Sequence, residues 1–185
     1  MRAAGYALAA MMPIAIILLS FLIALNAWPE KITDSDMTER AEIISYIQGG
    51  EEYHSELTGN ERAHLEDVKK LISISYCLFY AAILLTAVLS YFPYKSKDLK
   101  RSLNLGAVSC IAITLIVSAL ISINFQSAFI TFHKILFTND LWLLPADSTL
   151  ITIFPEKFFI KFAERVGLYI TAISLLIIIG KRYIR

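Results

Sequence analysis

Four stretches of this chain carry no Asp, Glu, Lys or Arg at all: 3–29, 71–94, 102–132 and 166–180. A helix needs roughly 20 apolar residues to cross the hydrocarbon core of a bilayer. The first three stretches exceed that length, and charge is packed into the segments between them. In lipid a backbone polar group must find its partner within the structure itself, and a helix meets that demand. The blocks therefore predict an all-α integral membrane protein rather than a greasy globule. The overall composition, 57% hydrophobic and 18% charged, is the arithmetic result of those blocks. A formal net charge of +1 gives no reason to propose a nucleic-acid partner.

Taken in order, the chain predicts four spans and two outer loop regions within one membrane domain, 1–185. The first span covers about 4–28. It is far longer than the roughly 7–15 apolar residues of a secretory signal, which predicts a span that is not cleaved. Pro13 is a candidate kink, and Trp28 sits where an interfacial aromatic belongs. An outer loop with short helices follows over 29–69. Asp36 and Glu39 predict a helix start, with Met37, Ile44 and Ile47 on one face, ending at Gly49-Gly50. Thr58 and Glu61 have capping-box spacing, which predicts a helix running straight into the second span, 70–93. A cytoplasmic loop over 94–101 leads to the third span, about 102–126. The third run is too long for one crossing, so its last third should leave the bilayer or lie along its surface. An outer re-entrant or interfacial loop is expected over 127–160, centred on the irregular, polar-punctuated stretch 131–159. The last run is too short, so the fourth span (161–181) must recruit Phe158 to Arg165. That draws Lys161, Glu164 and Arg165 to the edge of the apolar layer.

Lysine and arginine set the orientation. Lys95, Lys97, Lys100 and Arg101 between spans two and three, with Lys181, Arg182 and Arg185 in the tail and Arg2 at the start, predict both termini in the cytoplasm. The acidic first loop and the stretch 131–159 then face outside.

Few residues can carry chemistry. Cys77 and Cys110 fall at different depths and are expected as unpaired, buried thiols. Neither follows a lipobox-like pattern, so the chain is not expected to be a lipoprotein itself. All three histidines fall on the outer side. His64 begins the second span and His133 ends the third, so both belong at a similar depth. Spacing alone leaves open whether they share chemistry or merely anchor helix ends. His54, in an acidic loop, is expected to be solvated. His64, Asp67 and His133 could in principle supply zinc ligands, but no H-E-x-x-H is present and no cysteine lies near either histidine. No G-x-S-x-G supports a serine hydrolase, and Ser148 and Thr149 read as turn residues. Lys161 and Arg165, four apart, either snorkel along the fourth helix or offer a cationic face to phospholipid or ester oxygens. Glu164 is placed to pair with Lys161.

Two blocks carry a resemblance. Glu61-Arg62-Ala63-His64-Leu65-Glu66-Asp67-Val68-Lys69 leads into the second span. Phe132-His133, Phe137, Asn139-Asp140 and Trp142 follow the third, and Asp147, Leu150-Ile151, Pro155 and Phe158-Phe159 complete the pattern. In this order they resemble the lipoprotein intramolecular transacylases (Lit), small four-span membrane proteins. The blocks cover about a quarter of the chain, and the span order fits nearly all of it.

The resemblance implies an acyltransferase of the cell membrane with its active site at the extracytoplasmic face. Its substrate would be a diacylglyceryl-modified lipoprotein with a free N-terminal cysteine. The sn-2 acyl chain would move onto that α-amine to give the lyso-form lipoprotein, with membrane lipids around the site and no cofactor or metal. His64 and His133 would be catalytic, His133 as general base and His64 as oxyanion or leaving-group partner, with the reverse assignment also open. Glu61, Asp67, Asn139, Asp140, Trp142 and Asp147 would support or orient them, Asp67 by orienting His64. Phe132, Phe137, Lys161 and Arg165 would touch lipid or substrate. The rival readings are a non-enzymatic lipid-binding or assembly protein using the same pocket and a transporter. The transporter is disfavoured because no charge interrupts the middle of a span.

Overall fold

A computed structural model describes residues 3–27, 35–91 and 97–184, without the side chains of 35–37 and 97. The readings placed on Arg2, Trp28, Pro93, Lys95 and Arg185, and on the side chains of Asp36, Met37 and Lys97, lie outside the described residues. Every regular element among the described residues is helical: α1 Ala3–Asn26, α2 Ser35–Ile47, α3 Gly59–Tyr91, α4 Lys97–Ile123, α5 Phe125–Leu136, α6 Thr149–Ile153 and α7 Glu156–Gly180, closed by a 3-10 turn at Lys181–Tyr183. Four of them, α1, α3, α4 and α7, are long and apolar enough to cross a membrane.

The residues group into two compact units. One takes in Met1–Ala24, Tyr76–Ala119 and Glu164–Arg185, the other Leu25–Ser75 and Leu120–Ala163.

The first unit is built on α1. This helix is apolar on all sides and continues through Pro13. Leu8, Met12 and Ile16 are at most 5% exposed, and they pack with Leu89 of α3, Leu103 and Cys110 of α4, and Val166, Ile170 and Ile173 of α7. A helix apolar all round is stable only when enclosed or in lipid, and here 56% of its most apolar window is covered by protein. The corresponding share is 17% or less for the other three spans. Two hydroxyls of α4 are satisfied locally: Ser102 and Thr114 donate to the carbonyls of Asp98 and Cys110, each four residues back. Lys181 donates to the side-chain carbonyl of Asn104. Cys77 is exposed and Cys110 buried, and neither is bridged.

The second unit holds the loop-borne helices. The α2 helix ends ahead of Gly49, whose φ of 116° is strained for any residue with a Cβ. Ile43 and Ile44 are buried, and Ile47 is partly buried against the same small core as Ile43. Ile43 joins Leu57, Leu65, Leu150 and Ile153 in a small core. Arg40 fastens α2 to the later loop, donating to the Ile153 carbonyl at 2.8 Å and lying over the rings of Phe154 and Phe158 at 5.9 and 5.5 Å.

The long third run breaks at Asn124, whose side chain accepts from the Ser127 amide and caps α5. That break ends the span and starts a separate amphipathic helix, as the excess length required. The stretch 131–159 is less irregular than its composition suggests. It is helical to Leu136, again over Thr149–Ile153 and from Glu156, because Ser148 caps α6 by accepting from the Ile151 amide.

Close helix approach in the first unit depends on Gly106. A Cβ there would lie 2.9 Å from the Cβ and Sδ of Met12 and 3.2 Å from the carbonyl of Ala9. Gly106→Val should therefore destabilise the protein by about 1–3 kcal/mol, the usual cost of overpacking, and lower its unfolding temperature in detergent. Gly167→Ala, whose new Cβ meets only Thr114 at 3.6 Å, should leave that temperature within about a degree of wild type on the same scale of effects.

Candidate active site

The N-terminus of α3 supplies the first half of the site. Thr58 and Glu61 form the expected capping box, with Thr58 N and Oγ1 both donating to Glu61 Oε2 at 2.8 and 2.7 Å and Glu61 N reaching Thr58 Oγ1 at 3.4 Å. The sequence did not reveal the use made of the other carboxylate oxygen. Glu61 Oε1 accepts from the amide of Leu150 at 2.9 Å, in the first turn of α6, so one carboxylate serves two helix starts. Glu61 is only 1% exposed. Burial of a charge on that scale is tolerated because each oxygen is met by donors.

His64 follows one turn later, and α5 brings His133 to it. The two ring centroids are 6.1 Å apart. Phe137 lies against both, 5.1 Å from His64 and 5.6 Å from His133. Trp142, 8% exposed, lies tilted against His133 with ring centroids 5.0 Å apart. Phe129, one turn before His133 and not anticipated from the sequence, is closer still at 4.1 Å, and is backed by Phe159 at 5.3 Å. Its position four residues before His133 was the available signal. Phe132 is beside His133 but 55% exposed, on the outward face of α5 with Ile135 and Leu136.

The hydrogen bonds define the chemistry of each ring. His133 Nδ1 lies 2.8 Å from the carbonyl of Phe129. A carbonyl can only accept, so Nδ1 carries the proton and Nε2 of the neutral ring is the free lone pair. Burial of the imidazole pushes its pKa below the ordinary 6.5, while the Phe129 carbonyl pulls partly the other way. On His64, Nδ1 is buried with no hydrogen-bond partner among the described residues.

Asp67 does not supply that partner. Its Oδ2 accepts from Asn139 Nδ2 at 2.8 Å, and Oδ1 faces Lys70 at 3.4 Å. The Asp67 carboxylate thus links α3 to the later loop through Asn139. Asn139 Oδ1 in turn accepts from the amide of Leu141. Asp140, Asp147 and Lys161 are exposed, and among the described residues none has a described contact with either imidazole. Arg165 belongs to the other unit. His54 is exposed and bonded to Glu42 at 3.2 Å, which fits a solvated residue. Among the described residues no three His, Cys, Asp or Glu side chains converge as a group able to hold a metal.

A free imidazole lone pair, a second imidazole with an unmet ring nitrogen and a desolvating aromatic surround can together move a proton and stabilise charge at one reacting centre. Comparison with known proteins agrees in fold. Along 99% of its length the chain superposes on 94% of the membrane-integral lipoprotein intramolecular transacylase Lit from Bacillus cereus, with a TM-score of 0.84 and 23% identity. Two variants of that protein, with a single histidine replaced by arginine or by alanine, match over 99% of this chain and 91% or 92% of theirs, each with a TM-score of 0.81 and 22% identity. No curated protein matches by sequence. The family model described as lipoprotein intramolecular transacylase Lit matches residues 6–159, which include both histidines, and the chain therefore belongs to the lipoprotein intramolecular transacylase (Lit) family.

Proposed function

We propose that this transacylase takes a diacylglyceryl-modified lipoprotein with a free N-terminal cysteine and moves its sn-2 acyl chain onto the cysteine α-amine. The amine nitrogen attacks the ester carbonyl carbon, a new C–N bond forms and the carbonyl C–O bond to glycerol breaks. The amine's proton passes to His133 Nε2 and from there to the departing glyceryl oxygen, so a lyso lipoprotein with an N-acyl terminus results. Donor and acceptor share one molecule, and holding them together supplies the intramolecular advantage. His64 is the partner for the oxyanion or the leaving oxygen, its unmet Nδ1 being matched by substrate. The observation carrying the reading is the pair of rings 6.1 Å apart, one with its Nδ1 proton committed and its Nε2 free.

The site belongs, on this reading, at the extracytoplasmic face of the cell membrane, with both termini inside. Lys100, Arg101, Lys181 and Arg182 on the opposite ends of the spans support that orientation. Phe132, Ile135 and Leu136 then face the acyl chains of the outer leaflet.

His64→Ala and His133→Ala should each lower formation of the N-acyl product by at least about 100-fold, the usual value of a positioned acid or base, while the protein still inserts. Mass spectrometry of a reporter lipoprotein reads this directly. Full activity in either variant removes that residue from the mechanism. Chelation with EDTA should leave the rate unchanged, and a loss restored by zinc would replace the imidazole mechanism by a metal one.

The pH dependence has a definite sign. His133 is lowered in the fold, so it stays neutral as pH falls through 6.5, and the enzyme's acid limb should lie below that value. A second limb near pH 8 should come from the substrate amine. The same shift means the unfolded chain takes up a proton that the folded ring refuses. This contribution to stability is therefore complete above 6.5 and declines below it. Titration of the His133 ring by 15N NMR checks both, and a midpoint above 6.5 would contradict them.

A further inference from the structure

Glu61, His64 and Asp67 recur every three residues and so form one ridge along α3. The carboxylates at its two ends hold the two ends of a single loop. Asn139 is bonded to Asp67 at 2.8 Å and the Leu150 amide to Glu61 at 2.9 Å. Between these anchors lies Trp142, against His133, and just before the first lies Phe137, against both imidazoles. The Leu141 amide bond to Asn139 Oδ1, 3.1 Å long, fixes the turn that leads from the first anchor to Trp142.

We propose that Asp67 and Glu61 are positioning residues that bracket the 139–150 loop onto α3 and thereby keep the two imidazoles in register. Asp67 acts as the hydrogen-bond acceptor of Asn139 and not as the charge partner of His64. The proposal rests on the acyl-transfer reading for its activity measurement only. Two features separate it from a His–Asp pair. The Asp67 oxygens are engaged by Asn139 and Lys70, and the His64 Nδ1 that an orienting carboxylate would meet has no partner among the described residues. Glu61 is the stricter of the two brackets. Donors occupy both of its oxygens, so a glutamine would turn an amide N–H toward one of them.

The decisive comparison is Asp67→Asn against Asp67→Ala in the full-length protein in detergent. Asparagine keeps a carbonyl for Asn139 but has no charge. It should retain activity within about threefold of wild type, whereas Asp67→Ala should lose about 100-fold in kcat with KM little changed, the scale of a misplaced reacting group. Asn139→Ala should match Asp67→Ala, and the double variant should lose no more than either single one. Glu61→Gln should lose activity although it is nearly isosteric.

A readout independent of turnover uses Trp142. Of the two tryptophans, Trp28 is replaced by Phe, and the emission of Trp142 is followed. Asp67→Ala and Asn139→Ala should shift it to the red, and Asp67→Asn should not. Equal loss of activity in Asp67→Asn and Asp67→Ala, with Trp142 unmoved in both, would show a charge partner and overturn the proposal. So would additive losses in the double variant. If Asp67→Ala fails to fold, Asp67→Asn and Asn139→Ala decide the matter by the same two measurements. Absence of acyl transfer by the wild-type protein would instead count against the reaction, while the Trp142 measurement still judges the bracket.

Discussion

A carboxylate that is 99% covered has to be met by donors at each oxygen, and Glu61 is met by backbone amides from two helix starts far apart in sequence. Leaving such an amide buried and unmatched costs about 1–3 kcal/mol, so neither helix start is free to drift from the other. The position of His64 on α3 and the path of the later loop are thus set by one side chain. What surrounds the imidazoles inherits its geometry from that constraint.

The site itself trades solvation for order. Phe129, Phe137 and Trp142 cover His133, and its burial disfavours the charged form of the ring. The Phe129 carbonyl then selects its tautomer. A base with a fixed lone pair and little water around it needs no reorganisation when the proton arrives. The cost is intolerance of positive charge on the ring, because burial penalises the protonated form.

Much of this was legible in the chain. The uncharged runs named the spans because lipid leaves the backbone no alternative, and the third run was too long for one crossing, but its length did not place the break at Asn124. Thr58 and Glu61 announced a helix start because capping chemistry is local. The long-range half of each motif was not legible. Nothing in the sequence says that Glu61 reaches Leu150 or that Asp67 meets Asn139 rather than His64, since both links are made only when distant segments are already packed. Likewise, Asp147 and Asp140 belong to a pattern shared with a family, yet both side chains stand in solvent.

The enclosure of α1 has a consequence for how the molecule is made. Chains emerge from the ribosome N-terminus first, so α1 is made before the three later spans that pack against it. It is also the most apolar of the four spans and carries no charge. That greasiness suits a helix that faces lipid until those spans cover it. Later spans, with Gly106 opening a slot against Met12, close around a post already standing.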